Sequence, residues 1–388
     1  MREGEPHLLQ EGSYGCAFTP ALPCKKTKSR KSGSRIVGKI IPSEHAKVEL
    51  SIASLIQAIP GWESYYIIQE EDDCSTTNFK RLRKVYAQQC KVYKRTSNND
   101  LLQLLSPYGG TPLRLYGLSN SFSYITTLRH MLEGVAKLND QGICHCDLHE
   151  GNILVDINDT FKLIDFGAAF LGDRITEKGT LLHTYSFSPT FPPQPPEFSV
   201  QNGIYQGLTI SYSIMDTIAK KAIYAKMQGL LGVSKQTQTT ELQSFWNEQK
   251  EWTGGNSSWV PFFREYWRTI DSWSIGILFF DLLYKYSMHP SVKNEWASHR
   301  YTISNVLKGC LQSDPRKRFT AREALNALNS GIIHEKKKRS SASSSSSSSS
   351  DSSDAPVPTQ DYWGGYMGGA TWQRWMRRKE SMDGENDV

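Results

Sequence analysis

Residues 145–167, HCDLHEGNILVDINDTFKLIDFG, constrain this chain more than any other stretch. Asp147 stands five positions before Asn152, and Asp165 follows thirteen positions later, directly ahead of Phe166 and Gly167. The residues between them read as a hairpin. Ile153, Leu154 and Val155 form a short buried strand, Asn158 and Asp159 a turn, and residues 161–164 the returning strand. A fold with this hairpin holds a carboxylate and an amide at one end and a second carboxylate at the other. Such hard oxygen donors suit Mg2+. The plainer reading, acidic residues scattered in turns, leaves the matches described next unexplained.

Together the two motifs resemble the catalytic loop H-x-D-x-x-x-x-N and the magnesium motif D-F-G of the protein-kinase superfamily. The resemblance implies an α+β, bilobal fold: a small β-rich N-lobe with one main helix and a larger, mostly helical C-lobe. It implies ATP and Mg2+ as cofactors and transfer of the γ-phosphate to protein hydroxyls. Asp147 would orient the acceptor and take its proton, Asn152 and Asp165 would hold the metal, and His145, Phe166 and Gly167 would support the loop.

The N-terminal third carries weaker echoes of the same family. LLQEGSYGCAF reads as strand, glycine turn, strand; against the phosphate loop G-x-G-x-x-G-x-V it sets Gln10, Gly12, Gly15 and Ala17 at the diagnostic places. Alone it reads more readily as an ordinary hairpin turn, and its position ahead of RIVGKII is what favours the phosphate loop. Lys39 in VGKII fits the lysine that faces the phosphates. Glu49 is its expected helix partner, with Val48, Ile52 and Leu55 or Ile56 as the apolar face and Glu44 as the fallback. LLQLLSPYGG resembles the adenine-binding hinge, with Leu104 as gatekeeper and Leu105 beside it. Pro107 falls where a backbone N–H is needed and has none, so either one hydrogen bond is lost or Tyr108 supplies it.

Downstream marks separate protein kinases from small-molecule kinases. Glu197 of PPE resembles the close of an activation segment, Asp271 of DSWSIG the anchor below the catalytic loop, and Arg318 of DPRKR the partner of Glu197. Thr190 lies seven residues before Glu197, where Ser/Thr kinases carry a threonine that meets the catalytic aspartate. It reads alternatively as a plain loop threonine.

Two residues depart from the family pattern. Cys146 replaces the arginine of H-R-D, so activation should need no loop phosphate. His149 replaces a lysine, and DLHEGNIL is similar to the matching string of aminoglycoside phosphotransferases. At its reference pKa a histidine is roughly a quarter protonated at pH 7 unless phosphates raise it. Cys144, His145, Cys146 and His149 also suggest a metal cluster, but their spacing suits no regular zinc frame.

The chain divides into residues 1–105 as N-lobe, 106–334 as C-lobe and 335–388 as a Ser-rich basic tail expected to be disordered. An insertion at about 199–265 should contain a helix opening at Ser213 and Asp216, either a docking element or a packed elaboration. Seven dispersed cysteines suggest reduced thiols, and the N-terminus has no signal-peptide core. The expected setting is therefore cytoplasmic, with nuclear entry through Lys336 to Arg339 as a variant. The net charge of +6 is concentrated in residues 24–35, 336–339 and 376–379, and solvated loops explain these runs without a nucleic-acid partner. Protein substrates, a docking partner at the insertion or tail, and no membrane complete the expectation.

Several strings, GSYGCAFTPALPC, VGKII, HCDLHEGNIL and PPEF, are similar to protein kinases of large nucleocytoplasmic DNA viruses, which implies host cytoplasm or virions. Two other readings stay open: a small-molecule phosphotransferase of aminoglycoside-kinase type, favoured by His149, and a pseudokinase or scaffold. Glu197, Asp271 and Arg318 oppose the first. Lys39, Asp147, Asn152 and Asp165 together oppose the second.

Overall fold

Short runs near the N-terminus pair into a sheet in the computed structural model, which describes residues 6–12, 15–22, 36–74, 90, 101–184, 189–205, 215, 217–248 and 258–343. Strands β1 (His7–Glu11), β2 (Cys16–Thr19), β3 (Ile36–Pro42), β4 (Glu70–Cys74) and β5 (Leu101–Pro107) form an antiparallel sheet in the order β1-β2-β3-β5-β4. Ile40 and Ile41 of β3 are fully buried, on opposite faces as the pleat requires. Helix α1 (Ser43–Gln57) packs beside the sheet. Its buried stripe is Ala46, Glu49, Ala53 and Ile56, with Ile52 alongside. Val48 and Leu55, expected on the apolar face, are exposed, because the helix turns Glu49 inward toward a cation.

The C-lobe begins with a two-residue strand β6 (Thr111–Pro112) and helix α2 (Tyr124–Asp140). Strands β7 (Ile143–Cys144), β8 (Ile153–Val155), β9 (Phe161–Leu163) and β10 (Phe170–Leu171) follow, then helices α3 (Glu177–Thr184) and α4 (Pro196–Tyr205). The insertion supplies α5 (Ala222–Leu231) and α6 (Lys235–Glu248). Helices α7 (Val260–Lys285), α8 (Pro290–Cys310) and α9 (Ala321–Ser343) complete the lobe. Helix α7 is apolar on nearly all sides, from Phe262 through Leu283, and such a helix belongs at the centre of a core. One continuous apolar cluster joins it to α2, to the catalytic hairpin and to Ile52 and Ile56 of α1. The bilobal α+β fold is therefore present, and its main helix is anchored across both lobes.

Ile223, Tyr224, Met227, Leu242, Phe245 and Trp246 of the insertion lie in that same cluster, so these two helices are a packed elaboration of the C-lobe. The helix does not run unbroken from Ser213: Lys221 is extended, with ψ 123°, and α5 starts after it. Ser213 and Asp216 lie outside the described residues, as do the basic run at 24–35 and residues 344–388. The last helix continues to Ser343, past the boundary drawn at 334. Cys16 and Cys90 are joined as a disulfide, contrary to the expectation of reduced thiols. Both sit in an apolar pocket with Phe18, Leu22 and Ile40, a proximity that 74 residues of separation conceal. Among the described residues, no helix is long and apolar enough to cross a membrane.

Candidate active site

A cavity of about 560 Å³ lies between the lobes and is lined by Gln10, Gly12, Gly15, Ala17, Lys39, Glu49, Asp147, His149, Asn152 and Asp165. Most of the residues expected from spacing alone therefore meet in one cleft.

The hairpin is held from several sides. In β8–β9, Ile153 pairs with Leu163 and Val155 with Phe161. Asp156 closes the turn by accepting the N–H groups of Asn158 at 2.8 Å and Thr160 at 3.0 Å. Leu163 exchanges backbone hydrogen bonds with the segment at Tyr65 and Ile67. At the other end, the Asp271 carboxylate accepts the backbone N–H groups of His145 at 2.7 Å and Cys146 at 2.9 Å. Cys146 takes a left-handed φ of 63°, which those two hydrogen bonds support. The Asp271 carboxyl is raised by its burial, with His145 and the two N–H groups pulling it back.

Asn152 is buried and its Nδ2 donates to the Asp147 backbone oxygen at 2.9 Å and to Asp147 Oδ2 at 3.2 Å. The amide carbonyl oxygen is thereby left for the cleft. Asp165, also left-handed at φ 64°, accepts from the Gly167 N–H at 3.3 Å. Phe166 behind it is buried against His145 and Tyr66. A carboxylate and an amide oxygen on the same cleft wall are hard donors of the kind Mg2+ takes alongside phosphate and water oxygens, so this pair fits that ion.

Lys39 Nζ donates to Glu49 Oε1 at 2.5 Å and to Asp165 Oδ1 at 2.9 Å. Burial opposes its charge, but Asp165 and Glu49 outweigh burial and raise its pKa. Burial raises the Glu49 carboxyl, against the pull of Lys39. Asp165 ends below the usual carboxylate range because Lys39 outweighs its burial. Glu49, not Glu44, is thus the partner. The spacing did not reveal Gln69, whose Nε2 donates to Glu49 Oε2 at 3.0 Å and fixes the carboxylate's rotation. No motif marks it; only the sheet brings it there.

Gln10 and Ala17 face one another across β1 and β2, and Gly12 N–H donates to Gly15 O at 2.8 Å. A Cβ at Gly15 would fall 2.6 Å from the Ile40 oxygen, so this glycine is also needed for β2 to lie on β3. Leu104 and Leu105 do not line the cavity. Both are buried away from it; Leu104 lies against Ile41 and Ala46, because β5 turns its face toward α1. Ser106, Pro107 and Tyr108 form the hinge wall instead, with Tyr108 supplying the first backbone N–H after the proline.

His149 differs from its expected state. Burial lowers its pKa, with Asp165 the strongest opposing influence, so the ring is neutral at pH 7 rather than a quarter charged. Its Nδ1 accepts the Gly151 N–H at 3.0 Å, which places the ring proton on Nε2, 3.9 Å from Asp147 Oδ2. A Cβ on Gly151 would meet the ring at 2.7 Å, so the glycine makes this seat.

Beyond the cleft, Arg318 grips Glu197 bidentately at 2.6 and 2.7 Å, both side chains sealed from solvent. Thr190 is exposed at the start of the proline-rich run.

Residues 12–203 match the protein kinase domain family. A protein of Eremothecium gossypii named "Probable serine/threonine-protein kinase HAL5-like" is 33% identical over 88 residues, which is 23% of this chain and 12% of that protein. The serine/threonine-protein kinase ppk8 of Schizosaccharomyces pombe is 31% identical over 119 residues, 30% of this chain and 22% of that one. MAP kinase kinase kinase SSK2 of Saccharomyces cerevisiae is 46% identical over 52 residues, 13% of this chain and 3% of its own. The matched segments thus span only small fractions of these relatives. The family match ends at residue 203, and the pairing of Glu197 with Arg318 ties the end of the matched stretch to the helical region beyond it; residues 12–203 are similar to the protein kinase domain, and the bilobal fold continues past them.

Proposed function

We propose that this chain is a protein kinase that transfers the γ-phosphate of ATP, with Mg2+, to Ser or Thr hydroxyls of proteins. One observation supports this above the others: the Lys39 amine links Glu49 and Asp165 in the same cleft where Asn152 holds Asp147. The family match and the serine/threonine-kinase names of the relatives point the same way.

In this reading Asp147 orients the acceptor hydroxyl and accepts its proton as the new O–P bond forms and the bridging bond to ADP breaks. Lys39 presents a fixed cation to the α and β phosphates, kept in place by Glu49. His149 offers a neutral Nε2–H beside Asp147. Asn152 and Asp165 would hold Mg2+, which supplies charge neutralisation at the β and γ phosphates when bound. Transfer of this kind depends on positioning and charge more than on covalent help, which is what rigidly paired side chains provide.

A small-molecule phosphotransferase is the second reading, favoured by the histidine and by the DLHEGN string. Radiolabelled ATP with generic protein substrates separates the two. Label on protein that disappears in Asp147→Ala supports the proposal. Nucleotide binding without label on protein would overturn it. The likeness of its motif strings to kinases of large nucleocytoplasmic DNA viruses supports a cytoplasmic setting in an infected host, with docking partners recruited through the tail.

A further inference from the structure

Residues 191–195, FPPQP, cannot use ordinary secondary structure, because three of the five lack an N–H. Their carbonyls nevertheless find donors one after another. Phe191 O accepts from Lys221 Nζ at 2.7 Å, Pro192 O from Trp273 Nε1 at 3.0 Å and Pro193 O from Ser274 Oγ at 3.0 Å. Gln194 O accepts again from Lys221 Nζ at 3.2 Å, and Pro195 O from the Phe198 N–H at 3.1 Å. Phe191, Pro193, Gln194 and Pro195 all line the cleft that Asp147 faces. The donors therefore fix the wall against which an acceptor must lie.

Lys221 is the unusual member of this set. It comes from the insertion rather than from α7, it is 1% exposed, and its backbone leaves the helical run directly before α5. Burying an amine is costly, and burial lowers this one to about 7 against the pull of Glu197. Two N–H donors remain in either protonation state, enough for two carbonyls. Both helices of the insertion are pinned in turn. Tyr224 shares a hydrogen bond with Ser313 at 2.8 Å, and Gln238 Oε1 accepts the Ser313 N–H at 2.8 Å, five residues before Arg318. The insertion thus braces both the segment that carries Glu197 and the loop that carries its partner.

We propose that Lys221 is a positioning residue that holds the activation segment in its working arrangement without a phosphate, by fixing the carbonyls of Phe191 and Gln194. This rests on the protein-kinase reading. It gives that reading a physical anchor in place of the arginine-phosphate contact that Cys146 cannot make.

The test is Lys221→Met in the full chain. The KM for a protein substrate should rise about tenfold while the KM for ATP stays within about twofold, a split that a general loss of fold does not produce. Hydrogen exchange of residues 189–205 should quicken by about tenfold or more, and this readout needs no activity. Phosphatase-treated wild type should keep its activity. Unchanged substrate KM and unchanged exchange would overturn the proposal, as would equal losses for both substrates with a lowered melting temperature. If the methionine variant fails to fold, Lys221→Gln, which keeps one donor group, decides: a substrate KM raised about threefold is expected, and a wild-type value overturns it. A wild type that labels no protein defeats the kinase reading instead, and the exchange result still judges Lys221.

Discussion

Lys39 and Arg318 each pair with a buried glutamate, yet only one pair opens onto the cleft. Lys39 is 19% exposed and shares its amine between Glu49 and Asp165, whose carboxylate is 39% exposed. Arg318 and Glu197 are both at 0%. The open set keeps one face toward the cleft, so its charges remain available to a ligand. The sealed set spends both partners on each other, on Trp273 beneath the guanidinium and on the Gln312 carbonyl. The same ionic chemistry therefore serves as a working group on one side of the hairpin and as a frame on the other, and access to the cleft decides which.

The contrast breaks most easily at the sealed pair. Arg318→Met leaves Glu197 buried without its cation and should cost about 3–5 kcal/mol of stability. Denaturant midpoints measure it. Adding Glu197→Met should return part of the loss, since two apolar side chains no longer leave a lone charge. A double variant as unstable as the single one would mean that the pair specifies the local packing and does more than satisfy itself.

The open pair should respond in the other currency. Lys39→Met is expected to lower kcat by about 10²–10³ with a melting temperature close to wild type, because a transition-state cation is lost while the fold keeps its core. Glu49 can tolerate the change: burial already raises its carboxyl, so it takes up a proton once the amine is gone. A collapse of stability without a matching kinetic defect would erase the distinction between the two sets.

What could be read from the sequence divides along similar lines. Asp147, Asn152, Asp165, Glu197, Asp271 and Arg318 carry fixed spacings, and the elements that bear them are set by local alternation and by one long apolar helix. The structure brings them together accordingly. Leu104 faced the wrong way because side-chain direction in β5 depends on how the sheet lies on α1. Val48 was misplaced on α1 because the helix rotates to bury a glutamate, which an apolar moment does not anticipate. Gln69 and Lys221 have no motif at all. Each acts through a contact between distant segments, and a polar residue becomes buried only when the tertiary fold supplies its partner.

Gly110 tests the backbone that joins the two sets at the hinge. Its φ is 118°, and a Cβ there would lie 2.1 Å from the Val155 oxygen on the hairpin. Gly110→Ala should cost about 1–3 kcal/mol through strain at a glycine-only conformation, a smaller effect than losing the Arg318 guanidinium. Thermal unfolding checks this. If nucleotide affinity falls as well, the hinge transmits the distortion from the hairpin to the adenine side; if stability is unchanged, the close approach to Val155 is relieved by movement of the loop.

The smallest effect concerns His149, which sits on the open side and is itself partly buried. Its folded pKa lies below the reference value of about 6.5, so the unfolded chain takes the proton first as pH falls. The ring's contribution to stability is therefore complete above about pH 6.5 and declines below it. Protonation also places an N–H on Nδ1 against the Gly151 N–H that it now accepts, which must turn the ring away from Asp147. We expect kcat/KM for wild type to fall on the acid side of about pH 6.5, and the curve to flatten there in His149→Lys, whose ammonium does not titrate in that range. Profiles from pH 5.5 to 8 would show it. Superimposable curves would remove the histidine from the working set and leave it, like Arg318, as part of the frame.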